Sequence, residues 1–208
     1  MATSTGFAPS PSERFESYTS VLMRAVGHSD RAEPLRLYCA GLLLPGERKS
    51  VEPMAARLAP GDVRSVHQRM HHLVADSPWS DRRLLAAIRD YALPVFLAHG
   101  GVQAWIVDDT GIPKKGSHSV GVTRQYCGVL GKQENCQVAV SLSLANERLS
   151  LPIAYELYLP EVWAADRERR QKAGVPDEIG FRTKLEIATA QPDAAVEDGV
   201  PRGVDLAD

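Results

Sequence analysis

The stretch that decides the fold is WIVDDTG, residues 105–111. Its first three residues are apolar and prone to β-structure, which predicts a buried strand. Two carboxylates and a glycine follow, so we expect the strand to end at Asp108 and Asp109, with Gly111 in a turn. Acids at the rim of a sheet offer oxygen ligands for Mg²⁺ or Mn²⁺. An acid that only caps the following turn is the alternative that this element leaves open.

The residues that follow this stretch are basic. No Asp or Glu occurs between Thr110 and Gln133. The four basic residues of this segment are Lys114, Lys115, Arg124 and Lys132. Basic side chains beside a carboxylate site suit a phosphodiester substrate, because they hold phosphates in position. The pattern predicts that these four residues bind DNA, and a solvated basic loop is the other interpretation.

The first half of the chain has the apolar spacing of helices. Apolar residues recur at intervals of three and four, which is typical of amphipathic helices. The predicted helices cover about residues 13–27, 34–44, 51–58, 63–74 and 81–99. Pro94 should kink or end the last of them, because proline removes a backbone donor and clashes with the preceding turn.

The second half changes to segments that favour β-structure. We expect strands near residues 102–107, 135–144 and 153–159, the start of another at 203–207, and a helix at 183–191. The fold class is therefore α/β, with an α+β arrangement still open. These predictions divide the chain into a flexible tail at residues 1–12, a helical DNA-binding region at 13–100 and a second region at 101–208.

The composition is that of a globular protein. Hydrophobic residues make up 44% of the chain and charged residues 24%, a balance that disordered and fibrous proteins do not have. The formal net charge of -2 gives no argument for nucleic-acid binding, which must come from local clusters. No apolar run reaches the roughly 20 residues of a membrane span. The N-terminus lacks a secretory signal and the three cysteines suit a reducing compartment, so we expect a cytoplasmic protein.

Three other motifs are incomplete. Residues 111–117 have the outline of a phosphate-binding nucleotide loop but lack its lysine. His67, His71 and His72 have a spacing that metals tolerate on a helix, yet the glutamate of a zinc hydrolase is absent, which favours a cluster facing solvent or DNA. Cys127 and Cys136 match no zinc spacing and are interpreted as core thiols.

Three strings, taken in order, resemble one group of DDE insertion-sequence transposases. They are VDDTGIPKKG at residues 107–116, SVGVTRQY at 119–126 and LYLPE at 157–161. Shorter matches lie near residues 131–137, 163–166, 172–176 and 181–184. The resemblance covers about residues 30–208 and is strongest from 105 to 185.

The resemblance implies an RNase H-like fold in which three acidic residues hold two divalent ions, Mg²⁺ or Mn²⁺, for DNA strand cleavage and strand transfer. Asp109, which precedes Thr110, corresponds to the first acid. The string Leu206-Ala207-Asp208 matches a family segment that ends in the second acid, Asp208. The resemblance also implies insertion-sequence ends and target DNA as partners, association with the nucleoid when bound to DNA, and several copies assembled on paired ends.

The sequence ends at Asp208, before a third acid of the family pattern. We therefore expect an incomplete RNase H-like domain, with little Mg²⁺-dependent cleavage by these residues alone. Asp205 should be costly where an apolar strand residue is expected, because a buried carboxylate without a partner is unfavourable. A non-catalytic DNA-binding remnant of a transposase is the alternative function, and a metal-dependent nuclease unrelated to transposition is a third.

Overall fold

The computed structural model describes residues 9–207, which fall into two units that divide between Ala92 and Leu93. The change in sequence texture lies later, after residue 100. Helix α5, Asp81–Ala98, spans the division between the two units and ends just before the change in texture. No helix in the described part of the chain is long and apolar enough to cross a membrane.

The first unit is built from helices, as the apolar spacing predicts. Their bounds are α1 Pro11–Val26, α2 Ala32–Leu43, α3 Val51–Leu58, α4 Val63–Ala75 and α5 Asp81–Ala98. Helix α1 begins inside the stretch expected to be a tail, because Ser10 caps it. The Ser10 hydroxyl accepts a hydrogen bond from the Glu13 backbone at 3.2 Å, and the Glu13 carboxylate accepts one from the Ser10 backbone at 2.7 Å. The earlier part of the expected tail, residues 1–8, lies outside the described residues.

Two apolar clusters hold this unit together. Leu22, Val26, Leu35 and Leu73 form one of them. The other, which packs α3 against α4, consists of Met54, Ala55, Val66 and Met70. Helix α4 contributes to both clusters, so its buried side is fixed along most of its length.

Pro94 lies inside α5, which continues to Ala98. The expectation that the helix could end at this proline is wrong. Leu93 and Phe96, on either side of it, pack in the core of the second unit. Tertiary packing therefore carries the helix through a residue that removes one of its hydrogen bonds.

The second unit is a five-stranded mixed sheet with helices. Its strands are β1 Ala104–Pro113, β2 Thr123–Cys127, β3 Lys132–Ala145, β4 Ser150–Leu157 and β5 Val204–Ala207. Its further helices are α6 Glu161–Ala164, α7 Arg167–Lys172 and α8 Lys184–Glu197. The predicted strands and the predicted helix are present, and β2 was not predicted.

Strand β1 lies in the middle of this sheet. It pairs antiparallel with β3 along all ten residues and parallel with β5 from Ala104 to Val107. Strand β3 also pairs antiparallel with β2 and with β4. Because β5 is parallel to β1, the chain must cross over between them, and α8 lies in this connection and packs Ala195 into the core with Trp105.

The predicted end of β1 is wrong. The strand does not stop at Asp109 but continues through Gly111 to Pro113. A side chain at Gly111 would meet the Cys127 Sγ atom at 2.8 Å and its Cα atom at 3.0 Å. Gly111 is therefore required by the close approach of β2, and not by a turn.

Strand β5 differs from the expected buried strand, since its four residues are all exposed. The predicted penalty for burying Asp205 therefore does not arise. Strand β5 lies at one end of the strand order and its only partner in the described residues is β1. The chain just before β5 lies very close to the chain at the start of β1. A Cβ atom at Gly203 would lie 2.5 Å from the backbone of Gln103 and Ala104.

Replacing Gly203 by Ala should therefore loosen β5 from β1. The new methyl group would meet backbone atoms, which cannot move aside as a side chain can, so we expect a loss of about 1–3 kcal/mol in the free energy of unfolding. Urea unfolding measures the loss, and amide hydrogen exchange shows whether it is confined to β5.

Gly180→Ala is the matched control. A Cβ atom at Gly180 would have no neighbour within 4 Å, so this variant should unfold at the same urea concentration as the unaltered chain or slightly higher. Equal stability of the two variants would contradict the close packing of Gly203.

Candidate functional site

The two acids of the 105–111 stretch point to opposite sides of the sheet. Side chains alternate along a strand, so Asp109 lies on the side of the buried Trp105, and Asp108 on the other. Asp108 is exposed, and one of its carboxylate oxygens accepts a hydrogen bond from the Asp109 backbone at 2.7 Å. Only Asp109 therefore faces the side of the sheet that α8 covers.

Asp109 has a cationic partner on α8. The Lys184 ammonium lies 2.7 Å from the Asp109 Oδ2 atom, and the side chains are 36% and 37% exposed respectively. Lys184 is the first residue of α8, directly after the capping residue Thr183. The Thr183 hydroxyl accepts a hydrogen bond from the Glu186 backbone, and the Glu186 carboxylate accepts one from the Thr183 backbone. This capping box fixes the first turn of α8, and with it the origin of the Lys184 side chain.

The surroundings of this ion pair are partly apolar. The Lys184 ammonium lies 5.8 Å from the centre of the Tyr158 ring. Burial raises the pKa of the Cys136 thiol, and the neighbouring Cys127 raises it further. Both cysteines are fully buried, so the prediction that they are core thiols is confirmed. A protonated, buried thiol is neither a nucleophile nor a metal ligand.

A second ion pair lies on the same side of the sheet. Asp109 is opposite Val140 on β3, which in turn is opposite Glu156 on β4. Two strand spacings place the Cα atoms of the two acids about 10 Å apart. The Arg182 guanidinium binds both oxygens of Glu156, at 2.8 and 3.0 Å. Arg182 and Lys184 therefore both place cations at the start of α8 against acids of the sheet.

The described residues do not form a cluster of metal ligands. No group of three or more His, Cys, Asp or Glu side chains that could hold a metal ion occurs in residues 9–207. The Asp109 carboxylate fits as one ligand, since it has the oxygen donors of hard divalent ions and already faces a cation. The predicted second acid, Asp208, lies outside the described residues. Its neighbour Ala207 is opposite Val107, two positions before Asp109 in β1.

The predicted DNA-binding residues do not surround Asp109. Lys114 follows the end of β1, about 16 Å along the strand from Asp109. Its backbone is held from both sides, because its N–H donates to the Asn135 carbonyl at 2.9 Å and its carbonyl accepts from the Asn135 side chain at 2.7 Å. Lys115 is exposed, and neither lysine side chain makes an ion pair within the described residues.

Arg124 and Lys132 lie on the β2–β3 hairpin. Lys132 is 3.3 Å from the Glu134 carboxylate. The pKa of Glu134 is lowered, first by a hydrogen bond from the Asn135 backbone, then by Lys132, and more weakly by Arg124. The stretch without acids from Thr110 to Gln133 is therefore partly neutralised by the residue that follows it. Glu134 lies near Arg124 because β2 pairs with β3. The order of the residues in the sequence does not predict this proximity.

The loop between β1 and β2 is anchored by Trp163, which lies in a family string, and by Arg169, which does not. The Trp163 indole N–H donates to the Val122 carbonyl at 2.7 Å. Arg169 stacks 3.7 Å over the Trp163 ring and donates to the Ser117 carbonyl at 2.7 Å. These side chains are buried or half-buried against the loop, so they position its backbone.

The incomplete motifs of the sequence do not form sites in the structure. Gly111 lies within a strand, so residues 111–117 do not form a nucleotide loop. His67 and His71 have ring centres 5.9 Å apart on α4. His72 instead lies 3.3 Å from Asp76 on the same helix. In the described part of the chain, these histidines belong to no group of three residues that could hold a metal ion.

A family model described as "DDE superfamily endonuclease" matches residues 21–208 of this chain. The chain belongs to the DDE superfamily of endonucleases. The sheet order β4-β3-β1-β5, with β5 parallel to β1 and a helical crossover, is the RNase H-like fold that this family implies. The family acts on DNA and generally uses divalent metal ions.

A curated relative supports the same group within the family. Over 121 residues the chain is 36% identical to "Probable transposase for insertion sequence element IS701" of Microchaete diplosiphon. The aligned part is 58% of this chain and 28% of that relative. The chain therefore spans less than a third of the relative's length. The resemblance to DDE insertion-sequence transposases is confirmed.

Lys184 is the site residue that sequence reasoning missed. Thr183 and Glu186 carry the pattern of a capping box, which could have placed the start of α8 at Lys184. No pattern in the sequence pairs Lys184 with an acid 75 residues away. Only the docking of α8 on the sheet shows that contact.

The Asp109–Lys184 pair should contribute little to stability. Both side chains are more than a third exposed, and ion pairs of this exposure are typically worth about 0.2–1 kcal/mol. A double-mutant cycle with Asp109→Ala, Lys184→Ala and the double variant measures their coupling in urea unfolding. A coupling above about 2 kcal/mol would mean that the pair serves mainly to hold the fold.

Proposed function

We propose that this chain contributes Asp109 and Asp208 to the active site of a transposase, which cleaves DNA strands at insertion-sequence ends and transfers them to target DNA. The single observation that carries the proposal is the placement of Asp109. It lies on the central strand of an RNase H-like sheet, opposite Val140 of β3, with its carboxylate on the side that α8 covers.

The role of Asp208 is proposed from the family strings and from the position of β5 beside β1, and not from the strand register. Val107 is opposite Ala207, and Asp208 is the next residue of the chain. Neighbouring parallel strands lie about 4.8 Å apart, so residues that leave β1 and β5 at this edge start close together. The family strings match Asp109 and Asp208 to the first and second acids, which is why we propose these two and not Asp108 or Asp205.

Two divalent ions, Mg²⁺ or Mn²⁺, are the proposed cofactors. Held by carboxylates, such ions activate an attacking water or hydroxyl and stabilise the leaving oxygen. In this proposal, the residues of this chain bind the ions or hold a ligand in place. Asp109 and Asp208 bind the ions, and Lys184 holds the Asp109 carboxylate towards α8 when no ion is bound.

DNA is the proposed macromolecular partner of both units. Lys114 and Lys115 extend from a loop whose backbone is fixed by Asn135, so they can contact phosphates without ordering a flexible segment. Arg124 and Lys132 would assist at the hairpin, although Glu134 offsets part of their charge. The helical unit is proposed to help hold the same DNA, and several copies of the protein are proposed to assemble on paired ends.

Iron-mediated cleavage tests the metal ligand without requiring catalysis. Fe²⁺ bound in place of Mg²⁺ generates hydroxyl radicals with ascorbate and peroxide, and these cut the polypeptide near the ion. We expect cuts near residues 107–111 that excess Mg²⁺ suppresses. Asp109→Asn should reduce them by more than about tenfold, since even outer ligand partners are worth 10- to 100-fold in metal affinity.

Asp108→Asn is the matched control, because it makes the same chemical change at the neighbouring residue but on the opposite side of the sheet. Its cleavage pattern should equal that of the unaltered chain. Cuts that persist in Asp109→Asn, or that disappear equally in both variants, would reject Asp109 as the specific ligand.

A further inference from the structure

The outward side of α4 is a row of polar residues, of which His72 contacts Asp76. Helix α4 turns Val66, Met70 and Leu73 inward. On the opposite side lie Arg64, Gln68, His71 and His72, all of them exposed. No acidic residue occurs anywhere in Val63–Ala75. The surface is therefore cationic or hydrogen-bonding along its whole length.

Three other basic residues of the helical unit are engaged internally. The Lys49 ammonium donates to the Leu42 carbonyl at 2.9 Å and also to the Leu44 carbonyl, at the end of α2. Arg57 donates to the Arg48 carbonyl at 2.7 Å. Arg36 forms ion pairs with acids of the same unit. By contrast, neither Arg64 nor Gln68 has a hydrogen bond or ion pair within residues 9–207.

We propose that α4 is the DNA-reading helix of this protein, and that it enters the major groove with Arg64, Gln68 and His71 towards the bases. This inference rests on the proposed DNA-binding function and names the element that carries it. Arginine and glutamine are side chains that pair bidentately with guanine and adenine edges, respectively. A major groove about 12 Å wide admits one α-helix.

The dimensions of the row fit this use. Arg64 and His71 are seven residues apart, which is about 10 Å along a helix. That length covers about three base-pair steps of 3.4 Å. The side chains of this row can therefore reach about three consecutive base pairs from a straight helix.

The support behind α4 is rigid. Met54, Ala55 and Met70 are completely buried where α3 packs against α4. The two helices are joined by four residues, 59–62, that include Gly61. A short connection with a glycine between two packed helices is the arrangement that helix-turn-helix DNA-binding motifs use. A helix held in this way loses little conformational entropy when it binds.

A protein partner fits this surface less well. Its central residues, Arg64, Gln68 and His71, are polar, whereas protein interfaces have apolar cores. The surface has the charge that complements a phosphate backbone. DNA is therefore the occupant that the side chains of α4 favour.

Fluorescence anisotropy with a labelled 30-base-pair duplex of random sequence tests the proposal. The full 208-residue chain should bind, and its affinity should fall steeply as the salt concentration rises. The double variant Arg64→Ala/Gln68→Ala should bind about tenfold more weakly, and the slope of log affinity against log salt should be about one unit shallower. Circular dichroism checks that the helix content is unchanged.

Arg82→Ala is the control variant, since Arg82 is an exposed arginine of the same unit outside α4. It should bind within about twofold of the unaltered chain. If the chain binds DNA but the α4 variant binds equally well, the inference about α4 is wrong and the DNA-binding function stands. If the unaltered chain does not bind the duplex, the proposed DNA-binding function itself fails. An equal loss in both variants would show that α4 contributes only general charge, which also overturns the reading role.

Discussion

The site depends on the pairing of β1 with β3. Strand β3 accompanies β1 over its whole length, and Asp109 lies opposite Val140 within this pairing. The backbone of Asp109 is therefore held in place by the sheet. Its side chain is 37% exposed, so the carboxylate at this position is both fixed and accessible.

Two cationic side chains at the start of α8 complete this arrangement. Lys184 and Arg182, at its N-terminal end, meet Asp109 and Glu156 on the sheet. The two pairs differ in geometry: Arg182 binds both oxygens of Glu156, whereas Lys184 contacts one oxygen of Asp109. Both contacts to Glu156 come from the Nη1 atom of Arg182, and its Nη2 atom donates to the Glu186 carbonyl at 3.0 Å, so the guanidinium joins β4 to α8. The Lys184 ammonium is a compact charge on a flexible chain. The Glu156 pair is therefore suited to holding α8, and Lys184 can leave Asp109 at small cost.

Much of the fold could be predicted from local sequence patterns, whereas the contacts around the candidate site could not. The five helices of the first unit were predictable because their buried residues recur at helical spacing. Strand β2 was missed because it is short and largely polar, and its place depends on β3. The end of β1 was misjudged at Gly111, where a glycine required by the approach of Cys127 resembles a turn residue. The apolar run pointed to Asp108 and Asp109 together, and the family resemblance selected Asp109. The contacts of Lys184 and Glu134 are made only in the folded chain.

Trp163 and Asn135, which lie in the family strings, and Arg169, which lies outside them, hold backbone at the loop between β1 and β2. Trp163 and Arg169 fix the loop around Ser117 and Val122, and Asn135 fixes Lys114 and Gly116. A loop held in this way carries Lys114 and Lys115 outwards at a constant position relative to β1, and thus relative to Asp109. Binding energy from phosphate contacts is useful for catalysis only when it positions the reacting phosphate. The proposed phosphate contacts of Lys114 and Lys115 would use a loop whose backbone is already fixed by Asn135.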